Sequence, residues 1–431
     1  MTKLVRRVPF GKADRLVVSE HRLDNGLTVL VLEDHSAPVA AYQTWLRVGS
    51  AYEDPAKTGL AHLFEHLMFN ETENLGPGVF DRKVEELGAQ SNAATWLDWT
   101  YYHELLPSES LGELIALEAE RLARLKVQAQ QVETEREVVA NERRFRVEND
   151  VGGRMSELLH GTVFEVHPYR WPTIGWMEHI LGFNEADCQA FYRTYYAPNN
   201  ATLVVVGDVR EAEILGVIET HYGGMRSQEV PPPPNVVEPV QTAPRSGRLE
   251  WPMSAARVSI AYPAFSLGHP DHVALSTLNE VLFGGRSGRL RSLLVDEVEL
   301  VSDVSGWVSP FRWPGMYEID AALRTGESWQ RVVDLVERTI DEIKADGPTP
   351  AEMEKAIARS ERSFFESLEG ADGKADKLGF YHTTLDDFEA LFLRVERLAT
   401  VTADDVVRVA REVLTPERRT VVAAEPTGGD A

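Results

Sequence analysis

Two imidazoles and a carboxylate stand within five positions in GLAHLFEHLMFNET, residues 59–72: His62, Glu65 and His66. A helix turns about 100° per residue, so positions three and four apart share a face. Leu60, Leu63, Phe64, Leu67 and Met68 then form an apolar stripe, and His62, Glu65 and His66 fall on roughly the opposite side. Two imidazoles one turn apart can converge on one divalent cation, and zinc suits them because it takes neutral imidazole nitrogen at about 2.0–2.1 Å. Glu65 is left beside such an ion without having to bind it. The competing reading is a polar helix face that merely collected these residues, since H-x-x-E-H arises by chance in roughly a few per cent of chains this long.

A third ligand would separate the two readings. Downstream, QQVETEREVVANERRFRVEND has helix-forming composition, and Val132, Glu135, Val138, Val139, Glu142 and Phe145 are expected to share one stripe. Two carboxylates would then lie on an apolar side, where each needs a cation. A metal ion could serve, and so could Arg136, Arg143, Arg144 or Arg146. The residues alone leave both open.

HLFEH, followed 76 positions after its second histidine by the glutamate of EREVVANE, resembles the inverted-motif zinc peptidases, the group of pitrilysin, insulin-degrading enzyme and mitochondrial processing peptidase. RLDNGLTVLVLEDHSAPVAAYQTWLRVGSAYED is similar to that family's opening strands, and LGAQSNAATWLDWTYYHELLP to its substrate-edge region. HPYRWPTIG and YYAPNNATLVVVGD are similar to later landmarks, so the resemblance spans nearly the whole chain. Its length is that of the short branch, in which one subunit has two domains and two subunits make the working enzyme.

The resemblance implies that His62, His66 and Glu142 bind Zn2+, that Glu65 is the general base, and that Glu135 is a nearby carboxylate supporting the ligands. Three protein ligands leave a fourth position for water, whose pKa zinc lowers toward about 7. The implied activity is zinc-dependent endopeptidase cleavage of unfolded peptides. The alternative is a noncatalytic structural or peptide-binding subunit, a role some relatives have. The implied fold is α+β: two homologous domains, each a largely antiparallel sheet covered by helices, paired with a second subunit into a clam-shell chamber. SNAAT, residues 91–95, resembles the edge strand along which an extended peptide is held, with Asn92 as the side chain that touches it. Read locally, Asn92 is equally a turn residue.

RSQEVPPPPNVVEPVQTAPRSG, residues 226–247, is proline-rich and aperiodic, which predicts a linker between a zinc-binding domain at 1–225 and a second domain at 248–431. The two sides look related. FNEADCQAFYRTYYAPNNATLVVVGD aligns with VTADDVVRVAREVLTPERRTVVAAEP, placing Pro198 on Pro416 and Thr202 on Thr420, 218 positions apart. HLFEHLMF aligns with TLNEVLF, so Glu65 faces Glu280 while the histidine positions become Thr277 and Val281. The second copy is expected to bind no zinc.

A net charge of −24 argues against nonspecific nucleic-acid binding. The charge serves solubility or, by analogy with relatives that process cationic presequences, attracts basic peptides. No segment reads as membrane-spanning, and MTKLVRRVPFGKADRL lacks the apolar run of a secretory signal. A cytoplasmic location is therefore expected, with the periplasm the alternative if a leader has been cleaved. The single cysteine, Cys188, excludes an internal disulfide and is expected in a helix core.

One segment departs from the family pattern. Active relatives present an arginine and, seven residues later, a tyrosine from the second domain, just after a glycine turn; these steady the developing oxyanion. FGGRSGRL has the glycines, without the GxxxxGK[ST] pattern of a phosphate loop, and the aligned positions that follow are Val295 and Ser302. No tyrosine occurs between Tyr262 and Tyr317. A related partner subunit supplying the arginine and tyrosine is therefore expected, with a homodimer using other donors as the alternative.

Overall fold

Continuous runs of β-branched residues make the centre of each sheet. All seven residues of Ala201–Gly207 are buried, as befits a strand covered on both faces. The computed structural model describes residues 2–11 and 16–427. Its first sheet has seven strands: β1 (Lys3–Pro9), β2 (Val17–Arg22), β3 (Thr28–Glu33), β4 (Val39–Leu46), β5 (Gln90–Thr95), β6 (Thr100–Pro107) and β7 (Ala201–Gly207). Their spatial order is β1-β2-β3-β7-β4-β6-β5, antiparallel except for the β3–β7 pair. The second sheet has β8 (Arg245–Trp251), β9 (Arg257–Pro263), β10 (Val301–Val308), β11 (Met316–Leu323) and β12 (Thr420–Pro426). Its order is β10-β11-β9-β12-β8, antiparallel except for β8–β12.

Without β1 and β2 the two sheets have one topology. β3, β4, β5, β6 and β7 correspond to β8, β9, β10, β11 and β12, with the single parallel pair in the same place. A proline-led turn precedes the last strand of each, Pro198–Asn200 and Pro416–Arg418. The helix Leu60–Leu67 follows β4 as His272–Phe283 follows β9. The molecule is thus an α+β protein of two homologous domains.

The compact units do not follow the expected division into 1–225, 226–247 and 248–431. One unit takes the chain up to Arg143, Pro172–Asn235 and Glu366–Phe392; the other takes Arg144–Trp171, Val236–Phe365 and the chain from Leu393 onward. The helix Gly370–Leu385 lies across β4 and β7 of the first sheet, and Val151–Val163 lies across β8, β9 and β12 of the second. Gly379 permits the first of these contacts, because a Cβ there would stand 2.0 Å from Trp45 Nε1. An apolar helix face can be covered by either sheet, so the pattern of 3.6 carries no information about which one receives it.

The proline-rich stretch is also shorter than expected, since Arg245–Gly247 already belong to β8 and pair with Thr420–Val422. Glu238 accepts from the backbone of Glu165, Val166 and His167, which ties the end of this stretch into the second unit. Cys188 is buried in the helix Glu185–Tyr195, and burial pushes its thiol up to about 12. Such a thiol is inert at neutral pH. Among the described residues no helix is long and apolar enough to cross a membrane.

Candidate metal centre

The helix Leu60–Leu67 buries Leu60, Leu63, Phe64 and Leu67, with Met68 closing the stripe, as the spacing requires. Phe64 stacks near Phe191, Tyr192 and Tyr196, and Tyr102 Oη donates to the Phe64 carbonyl at 3.1 Å. The helix opens on Gly59 at φ 104°, which has no side chain to cap it. Glu53 supplies the cap from outside. Its carboxylate accepts from Gly59 N at 2.8 Å and Ala61 N at 2.7 Å. Burial pushes Glu53 up to about 8, and those backbone donors oppose the shift.

The helix Ala129–Arg143 brings the two carboxylates. Val132, Val139 and Ala140 are its buried side. Val138 is 45% exposed and Phe145 78% exposed, so the expected stripe is narrower than proposed. At about 100° per residue Val138 lies roughly 80° round from the line of Val132, Glu135, Val139 and Glu142. Phe145 falls in the wider π turn Arg144–Glu148, where the winding changes. The arginine alternative does not describe Arg136 and Arg143, which donate to the carbonyls of Phe183 and Gly175 at 3.1 and 2.8 Å.

Glu135 and Glu142 turn instead to the histidines. Glu142 Oε2 lies 3.5 Å from His62 Nε2 and 3.4 Å from His66 Nε2. One ligand atom from each of the three residues fits within a 4.8 Å span, and among the described residues this is the only such cluster of histidine, cysteine or carboxylate groups. Tetrahedral zinc with bonds of about 2.0–2.2 Å separates its ligand atoms by roughly 3.4 Å, so donor type and spacing both fit the ion. On the other side of the His66 ring, Nδ1 lies 3.7 Å from Glu135 Oε2, and Asn70 Nδ2 donates to Glu135 Oε1 at 3.0 Å. Glu135 thereby holds the His66 ring with Nε2 facing Glu142. Burial works to lower His66, but hydrogen bonds to Glu135 and Glu142 raise it to about 9.

Glu65 is half-buried beside Thr95 of β5. Burial raises its carboxyl above the ordinary carboxylate range, with Thr95 and His66 pulling the other way. In the second unit the equivalent helix carries Thr277, whose Oγ1 donates to the Val273 carbonyl, and Val281, fully buried. Glu280 there pairs with Arg359 at 2.9 Å. Asn92 is exposed on β5, opposite His103, with its Oδ1 accepting from Ala93 N. It is a strand residue, so the turn reading does not hold.

The contacts that clamp the two ligand-bearing helices are not legible in the residue pattern. Gly59 and Gly175 pack backbone to backbone; a Cβ on Gly175 would stand 2.2 Å from Thr58 O and 2.6 Å from Gly59 Cα. Arg143, next to Glu142, holds the same Gly175 through its carbonyl. The available signal was Gly175 in TIG and an acid, Glu53, ahead of a helix with no side-chain cap. Gly175→Ala meets both this clash and a φ of +83°. It is expected to lower the melting temperature and weaken zinc binding about tenfold or more, as about 1.4 kcal/mol of displaced ligand geometry would do. Competition titration against a chromogenic chelator measures it.

The insulinase (peptidase family M16) profile matches residues 28–175, and the peptidase M16 inactive domain profile matches residues 182–360. Zinc protease PqqE of Helicobacter pylori is 29% identical over 414 residues, covering 94% of this chain and 92% of that protein. The crystal structure of a protease from Helicobacter pylori superposes with a TM-score of 0.91 at 28% identity, over 97% of this chain and all of that one. Cytochrome b-c1 complex subunit 1, mitochondrial, of Bos taurus is 27% identical over 264 residues, 61% of this chain and 54% of that protein.

Proposed function

This chain belongs to the insulinase (M16) peptidase family, and from that premise we propose that it is a zinc-dependent endopeptidase, the zinc-bearing subunit of a heterodimer. The observation that carries the reading is the convergence of His62 Nε2, His66 Nε2 and Glu142 Oε2, with Glu65 beside them and not among them. Bound zinc would polarise a peptide carbonyl and acidify a water. Glu65, half-buried and with a raised carboxyl, accepts the proton of the attacking water and returns it to the departing amine.

Substrate is held along β5. Among the described strands, the other three sheet edges carry charges: Lys3, Arg6 and Arg7 on β1, Arg245, Arg248 and Glu250 on β8, and Asp303 on β10. β5, QSNAAT, carries none. Proteins usually protect a bare edge against stray pairing, so an unguarded one beside Glu65 and Thr95 fits a strand that takes an extended peptide. Asn92 is the exposed side chain on it that a peptide would meet.

The second unit supports the heterodimer reading. Val295 packs against that unit's apolar core, and Ser302 Oγ donates to the Ala322 carbonyl at 3.1 Å. Neither has a free donor for an oxyanion, so the arginine and tyrosine come from a related partner. The cytochrome b-c1 relative favours a second reading, a noncatalytic subunit of a larger complex. Elemental analysis of the purified protein together with an unstructured-peptide assay separates the two. About one zinc per chain and chelator-sensitive cleavage support the peptidase; a protein without zinc and without cleavage, alone or with its partner, is the noncatalytic subunit.

A further inference from the structure

Helices are ordinarily capped by a serine, threonine, aspartate or asparagine at their own N-cap position, and the helix of the histidines has Gly59 there. Its first N–H groups go instead to Glu53, an acid that is 7% exposed. Both carboxylate oxygens are used, Oε2 by Gly59 and Oε1 by Ala61. Among the described residues the partners of this carboxylate are all backbone N–H groups. Burial opposes its charge and those donors favour it. A carboxylate held out of water without a cation is costly, whereas a hydroxyl at the cap position would satisfy a donor at lower cost and tie the helix to nothing else.

Glu53 ties the helix to β5. That strand turns into β6 through Trp96 and Trp99, where Trp96 N donates to Trp99 O at 2.9 Å. Onto this turn the chain after β4 is seated: Ser50 N donates to the Trp96 carbonyl at 3.1 Å, and Ala51 N to the Leu97 carbonyl at 2.9 Å. Gly49 allows the close approach, because a Cβ there would stand 2.4 Å from Trp96 O. The 3-10 turn Ser50–Tyr52 then leads to Glu53, whose N–H returns to Ser50 O at 3.3 Å, and Tyr195 Oη donates to the Tyr52 carbonyl at 3.1 Å. One short run, 49–53, thus joins the turn of β5 to the first helical turn, where Ala61 is followed by His62. All of these residues lie in the first unit.

We infer that Glu53 is a positioning residue, whose two-point bond sets the offset between a peptide held along β5 and the helix that carries His62 and Glu65. A peptide along β5 belongs to the peptidase reading above, on which this inference rests. Two variants test it. Glu53→Gln keeps the size and one acceptor but sets an amide NH2 against a backbone N–H. Glu53→Asp keeps the charge but is one methylene too short to reach both donors without drawing the helix toward it. A cap that only stabilised the helix would be served by the aspartate and would change the melting temperature alone. The measurements, made on the full chain below the melting temperature of each variant, are the visible spectrum of the Co2+-loaded protein, which reads ligand geometry, and kcat and KM for one unstructured peptide with metal saturating and the partner subunit present. Both variants are expected to change the Co2+ spectrum and to lower kcat about tenfold to a hundredfold, since a misplacement of about 1 Å can cost about 10²-fold. KM should stay close to wild type, because β5 remains paired to β6. Either variant decides the matter if the other fails to fold. A wild-type spectrum and kcat in the variant, whatever its melting temperature, overturn the positioning role and leave the peptidase standing. A wild-type protein that takes up no Co2+, or takes it up and cuts nothing with the partner present, overturns the peptidase and the inference together.

Discussion

Glu65→Gln is expected to keep about one zinc per chain and to lose kcat/KM by a factor of about 10² to 10⁴, the usual contribution of a positioned acid–base group. The substitution preserves shape and removes only the ability to take a proton. The three atoms that converge belong to His62, His66 and Glu142, so the metal site loses no donor. Glu142→Ala should behave in the opposite order. It deletes the one oxygen that lies within about 3.5 Å of both imidazoles, and two histidines one turn apart remain. That variant should purify without zinc and without activity, whereas the glutamine variant should be a metal-loaded, folded and inactive protein. Zinc per chain and peptide turnover, measured on the same preparations, check both. A normal rate from Glu65→Gln would refute the general-base assignment.

Supplying the related subunit is expected to raise the cleavage rate of the purified chain by about 10² to 10³, since one missing oxyanion donor typically costs about 2.7–4 kcal/mol. The positions where active relatives carry arginine and tyrosine hold Val295, packed against apolar neighbours, and Ser302, bonded to the strand beside it. A valine has no donor, and a serine hydroxyl is too short to stand in for a phenol. The measurement is turnover of one unstructured peptide by the chain alone, by the partner alone and by the mixture. Zinc should copurify with the first and not with the second. Full activity from the chain alone would sink the heterodimer and favour a homodimer with other donors.

Local arrangements are legible in the residue order. His62, Glu65 and His66 are set on one side of a helix by a turn of about 100° per residue, and Leu60, Leu63, Phe64 and Leu67 bury the other side wherever that helix is packed. The repeat was legible for the same reason, because proline-led turns and β-branched strands recur at Pro198 and Pro416 whatever surrounds them. Spacing does not separate the two carboxylates; only the family resemblance tells them apart, and the packing of the helices supplies the physical reason. Glu135 and Glu142 are two turns apart on one helix and are equally acidic on paper; the approach of that helix to Leu60–Leu67 sends Glu142 between the imidazoles and Glu135 to the far nitrogen of His66. Tertiary structure alone decided that Glu53 caps the motif helix, that Gly59 and Gly175 meet, and that Gly370–Leu385 crosses the first sheet and brings Asp372 to His103. These contacts join residues far apart in the chain, where spacing carries no phase: periodicity fixes a side chain's direction within its own helix or strand, and only packing fixes what it meets.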